Sequence, residues 1–599
     1  MDRSKSVFDV CILGGGLIGN MQARHLRRTL PRLSVAVVDQ RTDEEVEKSR
    51  KVGESTVDIA GIFLSRDLDL HEYLTEHHLP KQGLNFHFPD GSGTERLSDY
   101  INYFAHFVVG IPTFQLERRT MEADLLRMNE SDGVQLFHPH KVVGVSRNGE
   151  GYKVDIESVG DKSRSTLRAG WVIDASGRKR ILNRMLIKGN YQVEPKPNTA
   201  SYWVRVKNPD RRFFNDDKCR QATMYAPYYG TNHFMGRGHW IWMIPLHSDE
   251  VSIGIVFDKT IVPLKQVYGR KKFLDFLSRE HRLLYKLVMS GEIVDELALS
   301  HLAYGAKQCY GADRWALIGD AVAFQDPFLS FGISLASMGI TLVTELIRRD
   351  LIDHCPRHQL ERLAQDYNGL IGYIHKNLIQ HYGNMYDFIE DPRCMQEKIR
   401  FNVMMWFRVI IPTFVTRIYL RPFLLKCIRF NLFANINPLL DELFCDLKES
   451  SYAPKFYKQL YRVHKVIKVD YLNDCIFHSC SYNPMPEIIH MYWYSIKLRL
   501  RLLWGVYGLK AFARGRQLGW LARHFVEMLV SVPISIAATL YCRGKTRNPQ
   551  LEKQELKYQK FVNRSLQIEK GRREPSERVQ AIPRRVPDYE SRPGKVTAA

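Results

Sequence analysis

At 599 residues and 69.8 kDa the chain exceeds what one hydrophobic core ordinarily holds, so two or three domains are expected. Hydrophobic residues at 45% and charged residues at 25% are a globular balance, which excludes a largely disordered chain. Lys and Arg outnumber Asp and Glu by 86 to 65, a net charge of +21, so an acidic partner is expected: an anionic substrate or cofactor, a carrier protein, a membrane surface or nucleic acid.

The ten cysteines are scattered, with no CxxC pair and no metal-ligand spacing, and the nearest two are Cys475 and Cys480. This usage points to a reducing compartment and to no metal. MDRSKS leads directly into FDVCILGGG without a separate apolar targeting segment, so a cytoplasmic protein is expected.

Val7 to Leu13 is a short apolar run that ends in Gly14, Gly15, Gly16, Leu17, Ile18 and Gly19, and MQARHLRRTL then follows at helical spacing. Strand, GxGxxG and helix together predict a dinucleotide site. Gly14 permits the tight turn, Gly16 lets the backbone approach a diphosphate, and Gly19 brings helix close to strand, with the diphosphate at the helix N-terminus. A second strand, LSVAVVDQ, ends at Asp39, twenty residues beyond Gly19, where an acid can bind ribose hydroxyls. This unit alone leaves NAD and FAD open.

Three later segments decide between them. QLERRTMEADLL, residues 115–126, resembles the flavoprotein monooxygenase pattern in which an arginine, here Arg118, opens a helix near the cofactor phosphates. WVIDASGR is an apolar strand running into Asp174, Ala175, Ser176 and Gly177, similar to the second nucleotide-contacting turn of those enzymes. WALIGD ends in Gly319 and Asp320, which resemble the pair that binds the ribityl chain. Their order over about 300 residues implies FAD.

Four further passages resemble the flavin-dependent halogenases, the family of the tryptophan, phenol, pyrrole and carrier-bound-substrate halogenases. VGEST matches an early flavin-contacting loop and brings Glu54, Ser55 and Thr56. PKQGLNFHF has Lys81 where the family keeps its active lysine. HWIWMIPL matches the WxWxIP signature through Trp240, Trp242, Ile244 and Pro245. FQDPFLSFGI matches the pattern that follows the GD turn and brings Ser330, Phe331, Gly332 and Ile333. The resemblance covers roughly residues 5–350. By spacing alone, Trp240 and Trp242 lie on one face of a strand and read equally as core.

The resemblance implies an α/β fold: a Rossmann-type FAD-binding domain of the flavoprotein monooxygenase kind over residues 1–349. It carries an inserted substrate-facing β-sheet (about 85–115 and 190–300) and is followed by a mainly helical C-terminal region. It further implies that reduced FAD, supplied by a separate flavin reductase, oxidises chloride or bromide to hypohalous acid, which Lys81 relays to an electron-rich aromatic substrate. The two tryptophans would wall that substrate off from the flavin, Ile333 would touch the cofactor, and the Phe331 and Gly332 amides would hold halide. Tryptophan halogenases carry a glutamate immediately before the serine of this turn. Here that position is Leu329, so a phenolic or pyrrolic substrate, free or on a carrier protein, is favoured. An aromatic hydroxylase of the same fold and an inactive membrane-associated flavoprotein are the alternatives. His71, His77 and His78 near Lys81 are assigned no role.

Residues 350–542 are basic, aromatic and helically periodic, as in IKLRLRLLWGVYGLKAFARGRQLGWLARHF. Three readings compete there: a helical lid over a substrate channel, a peripheral membrane-binding surface, and a span at Met528 to Cys542, which is short and contains Pro533. Residues 543–599 read as a disordered basic tail, and no nucleic-acid-binding motif accompanies the charge.

Overall fold

Val7–Leu13 forms the centre of a parallel sheet, flanked by Val35–Val38 on one side and Arg164–Asp174 on the other. The computed structural model describes residues 6–91, 93–103, 111, 113–217, 219, 226–420, 437–452 and 485–543. The sheet runs in the order Tyr310–Gly311, Trp315–Leu317, Arg164–Asp174, Val7–Leu13, Val35–Val38, Gln135–Phe137, and the hairpin of His140–Asn148 and Gly151–Ser158 extends it beside Arg164–Asp174. Both faces of the central strands are covered, which is why their sequences are unbroken apolar runs. Gly16 precedes the helix Leu17–Thr29. A Cβ on Gly19 would lie 1.9 Å from the Gly14 carbonyl oxygen, so this helix can approach the strand only because that residue is glycine.

A second, seven-stranded sheet has the order Glu292–Leu299, Thr199–Lys207, Glu250–Asp258, His239–Pro245, Thr231–Gly236, Leu84–Pro89, Tyr100–Tyr103. The tryptophan strand is its middle member and all seven of its residues are buried. Side chains alternate as the pleat requires. Trp240, Trp242 and Ile244 face the larger core, while Ile241 and Met243 face a second core closed by the helices Arg270–Glu280 and Arg282–Met289. Gly254 lies opposite Trp242, and a Cβ there would meet the Trp242 ring at 2.3 Å and Trp203 Cβ at 2.4 Å. The glycine is the space that the indole occupies.

The C-terminal region supplies the helices Arg357–Gly383, Pro392–Met405, Asn437–Glu449, Met485–Tyr507 and Gly515–Arg543. One cluster of buried apolar side chains runs without a break from Val10 to Leu521. The boundary expected at residue 349 therefore marks a change of composition, and the helices beyond it share the core of the nucleotide domain. Met528 to Cys542 is the end of the helix Gly515–Arg543, and among the described residues no helix is long and apolar enough to cross a membrane. Apart from Arg543, the expected basic tail lies outside the described residues.

Candidate active site

At the nucleotide turn, Gly14 has φ +111°, and a Cβ on Gly16 would make ordinary contacts with Lys51 Nζ at 3.9 Å and Glu122 Oε2 at 4.0 Å. Three cations converge beside it on the buried Glu122: Arg41 at 2.7 Å, Arg118 at 2.7 Å and Lys51 at 3.1 Å. These cations hold the Glu122 carboxyl down at about 2, against a burial effect that alone would raise it. The three cations outnumber by one the two carboxylates they bond, Glu122 and Asp39, an excess that suits a diphosphate, and the buried Nε of Arg118 has no hydrogen-bond partner. Asp320 lies near Arg118, Arg178 and Lys51, and Gly319, at φ +60°, sits against Ile18 of the first helix. The residues present fit FAD.

Asp39, the expected ribose acceptor, also holds Arg41, which bonds its carboxylate at 2.7 Å. Asp174 is fully buried and accepts from Ser176 N, Ser176 Oγ and Leu182 N. These bonds shape the turn at Gly177, which has φ +62° and open space beyond its Cα.

The VGEST loop serves the lysine. Glu54 Oε1 accepts from Arg205 at 2.6 Å, a pair with both members buried. Thr56 Oγ1 is bonded to the Phe114 backbone in both directions. Lys81 Nζ donates to Ser55 Oγ at 2.9 Å and to the Thr56 carbonyl at 2.7 Å, and Ser55 in turn meets the Thr231 hydroxyl at 2.8 Å. The Glu54, Ser55 and Thr56 side chains are therefore engaged within the protein, in the loop expected to contact the flavin. Burial pulls the Lys81 amine down to about 7, opposed by the nearby Asp58 carboxylate.

The tryptophan strand and the FQDPFLSFGI turn meet. Phe328 packs edge-on against Trp240 at 5.2 Å, and Trp240 lies 6.0 Å from Trp242. Both indole N–H groups are satisfied, Trp240 by the Tyr386 hydroxyl at 3.1 Å and Trp242 by Ser252 Oγ at 3.0 Å. Ile244 is buried on the same face, and Pro245 closes the strand opposite Val251. Ser330 takes φ +58° and turns the chain into the helix Gly332–Ile347. Among the described residues the Phe331 and Gly332 amides have no hydrogen-bond partner, and neither does the buried Ser334 hydroxyl two residues on. Ile333 is buried at the same helix start.

Sequence reasoning missed the residues that join these pieces. Trp406, at the start of a π-helical turn (Trp406–Ile410), stacks on Phe331 at 4.8 Å and 18° and donates to Asp58 Oδ2 at 2.8 Å. Tyr386 donates to Asp326, whose carboxyl burial pushes up to about 6. Asp326 stood inside a quoted motif without a role, whereas nothing in the sequence pairs Trp406 or Tyr386 with positions so far away. His78 Nδ1 accepts from the Glu117 amide at 3.1 Å, while its buried Nε2 has no hydrogen-bond partner among the described residues.

The FAD binding domain family matches residues 7–347, more than half of the chain. Flavin-dependent halogenase chlA of Dictyostelium discoideum is 33% identical over 442 residues, covering 69% of this chain and 72% of that protein. A chlorinase of 1H-pyrrole-2-carbonyl groups on a peptidyl-carrier protein, from Pseudomonas fluorescens, is 24% identical over 64% of this chain and 86% of its own. The fold of halogenase PltM, solved in complex with phloroglucinol and FAD, matches with a TM-score of 0.57 at 16% identity, over 84% of this chain and 98% of that one. The chain belongs to the flavin-dependent halogenases.

Proposed function

We propose that this enzyme halogenates an electron-rich phenolic or pyrrolic substrate and that Lys81 delivers the oxidised halogen to it. When bound and reduced, FAD supplies with dioxygen the oxidising power that turns chloride or bromide into hypohalous acid. The observation that carries the reading is the setting of Lys81. An ammonium has three N–H donors, and the Ser55 hydroxyl and Thr56 carbonyl take two, leaving the third for hypohalous acid. Near neutrality the amine is divided between charged and neutral forms, and hydrogen-bonded delivery belongs to the charged one.

The remaining residues have positional roles. Halide binds at the free Phe331 and Gly332 amides, at the positive end of the helix Gly332–Ile347, with Ser334 as a further donor. Trp240, Trp242, Ile244 and Pro245 form the wall that keeps organic substrate off the flavin. Leu329 stands where a glutamate would stabilise a cationic ring intermediate, which suits substrates whose own oxygen or nitrogen carries that charge. Two named relatives act on pyrrole groups held by a carrier protein, so a carrier-bound substrate is part of the proposal, as is a separate flavin reductase.

The test is turnover with reduced FAD, dioxygen and bromide against a phenol panel and a pyrrole-loaded carrier protein. The expected product carries the bromine isotope doublet, and Lys81→Ala lowers its yield by roughly a hundredfold or more, the scale of a positioned proton donor, with FAD binding unchanged. Oxygen-labelled product formed without halide would overturn the reading in favour of a hydroxylase, and an unchanged yield from Lys81→Ala would overturn the role of the lysine.

A further inference from the structure

Fifteen large hydrophobic side chains are exposed among the described residues, and six of them, from Val7 to Ile352, are scattered singly. The other nine fall between Trp493 and Val530, on the hairpin made by the helices Met485–Tyr507 and Gly515–Arg543. The hairpin is held together from inside. Arg499 is buried, bonds Gln517 at 2.6 Å and lies 3.6 Å from the Trp520 ring, while Leu502 and Leu503 join the main core. Its outer side is different. Trp493 and Trp504 are 45% and 59% exposed on the first helix, Phe525 and Leu529 are about half exposed on the second, and Leu509 and Phe512 in the turn between them are 76% and 73% exposed. A concentration of apolar surface on an otherwise polar exterior marks a binding face.

The charge around it identifies the occupant. Residues 485–543 contain eight Lys and Arg against two Glu. Both acids are paired, Glu487 with Arg408 and Glu527 with Arg523, and of the cations Arg501 and Arg516 bond acids outside the hairpin, Glu397 and Glu442. Lys510, Arg514 and Arg516 are exposed around the Leu509 and Phe512 tip, and Lys497 lies over the Trp493 ring at 4.8 Å. Exposed tryptophan, leucine and phenylalanine interspersed with cations match the acyl boundary and anionic headgroups of a bilayer surface. A second copy would bring the same positive charge against itself.

We infer that this hairpin is a peripheral membrane-binding element, with Leu509 and Phe512 entering the headgroup and acyl boundary of an anionic bilayer and Lys510 and Arg514 contacting its headgroups. Because no described helix can span, the attachment is interfacial and reversible. The inference is independent of the route taken by the halogen.

The experiment is flotation of the full-length, FAD-loaded protein with phosphatidylcholine vesicles, with and without phosphatidylserine. Co-flotation is expected with the phosphatidylserine vesicles and should weaken at high salt. Leu509→Glu/Phe512→Glu should lower the partition coefficient roughly tenfold or more, and Lys510→Glu/Arg514→Glu should remove the preference for phosphatidylserine, both with the flavin spectrum and melting temperature of the parent. Three outcomes overturn the inference: wild type that does not float, tip variants that float like wild type, or binding indifferent to phosphatidylserine. A concentration-dependent dimer that Leu509→Glu/Phe512→Glu dissolves overturns it as well, because the hairpin would then be covered by a second copy.

Discussion

Trp406 donates its indole N–H to Asp58 at 2.8 Å across 348 residues of sequence, while its ring stacks on Phe331 at the candidate halide turn. Asp58 is two residues from Thr56, the carbonyl that holds Lys81. One side chain from the C-terminal region thus ties the halide turn to the lysine loop.

The pH profile should reveal that link. Burial raises the Asp58 carboxyl, while the Trp406 bond and the Lys81 charge lower it; in return the Asp58 charge raises Lys81. If the ammonium delivers the halogen, kcat/KM falls as pH rises through about 7. Asp58→Asn removes the supporting charge and should move this limb to lower pH. Trp406→Phe keeps the stacking, leaves Asp58 more often protonated, and should move it the same way by less. A limb that stays in place in both variants would separate Asp58 from Lys81.

The phosphate cradle predicts an affinity effect. Arg118→Met removes one of the three cations around Glu122 and a donor with an unpartnered Nε. Hydrogen bonds to charged groups are worth about 1.5–3 kcal/mol, so FAD should bind some ten- to a hundredfold more weakly by flavin-fluorescence titration.

Gly254→Ala tests how tightly the tryptophan strand is packed. Its new methyl would press on the Trp242 ring and Trp203 within a central strand. Overpacking of this kind costs about 1–3 kcal/mol, so a lower denaturation midpoint is expected in urea. Trp242→Ala carries a cavity cost of about 3–5 kcal/mol as well as any change in oxidant routing, so product analysis of that variant must be accompanied by a melting curve.

Asp326 predicts a stability profile. Its carboxyl stands near 3.8 unperturbed and at about 6 in the fold, so between these values the folded state holds the extra proton. Stability from this group is greatest below about 4, is lost as pH rises through about 6, and is absent above it, a swing of about 3 kcal/mol at most. Asp326→Asn should flatten thermal stability between pH 4 and 7 relative to the parent, read by calorimetry at matched ionic strength.

Much of the nucleotide half was legible in sequence because its constraints are local. GGGLIG must turn, admit a phosphate and let a helix approach, and those demands fall on consecutive residues. The alternation in HWIWMIPL likewise put Trp240, Trp242 and Ile244 on one face. The bonds of the motif residues were not legible. Asp174, Glu54 and Thr56 were expected beside the cofactor, and which protein groups each of them bonds depends on the donors the fold brings to it from distant segments.

By itself the sequence determined the dinucleotide turn, the strand that carries the paired tryptophans, the placement of Lys81 in a halogenase-like motif and the basic, aromatic character of the last third. The tertiary fold was needed to show that this last third shares the core and sends Tyr386 and Trp406 into the site, that the VGEST loop holds Lys81, and that the C-terminal hairpin carries nine of the exposed large hydrophobic side chains among the described residues. Local periodicity specifies which face of an element is apolar. What that face meets is a long-range property, set when segments hundreds of residues apart close into one core.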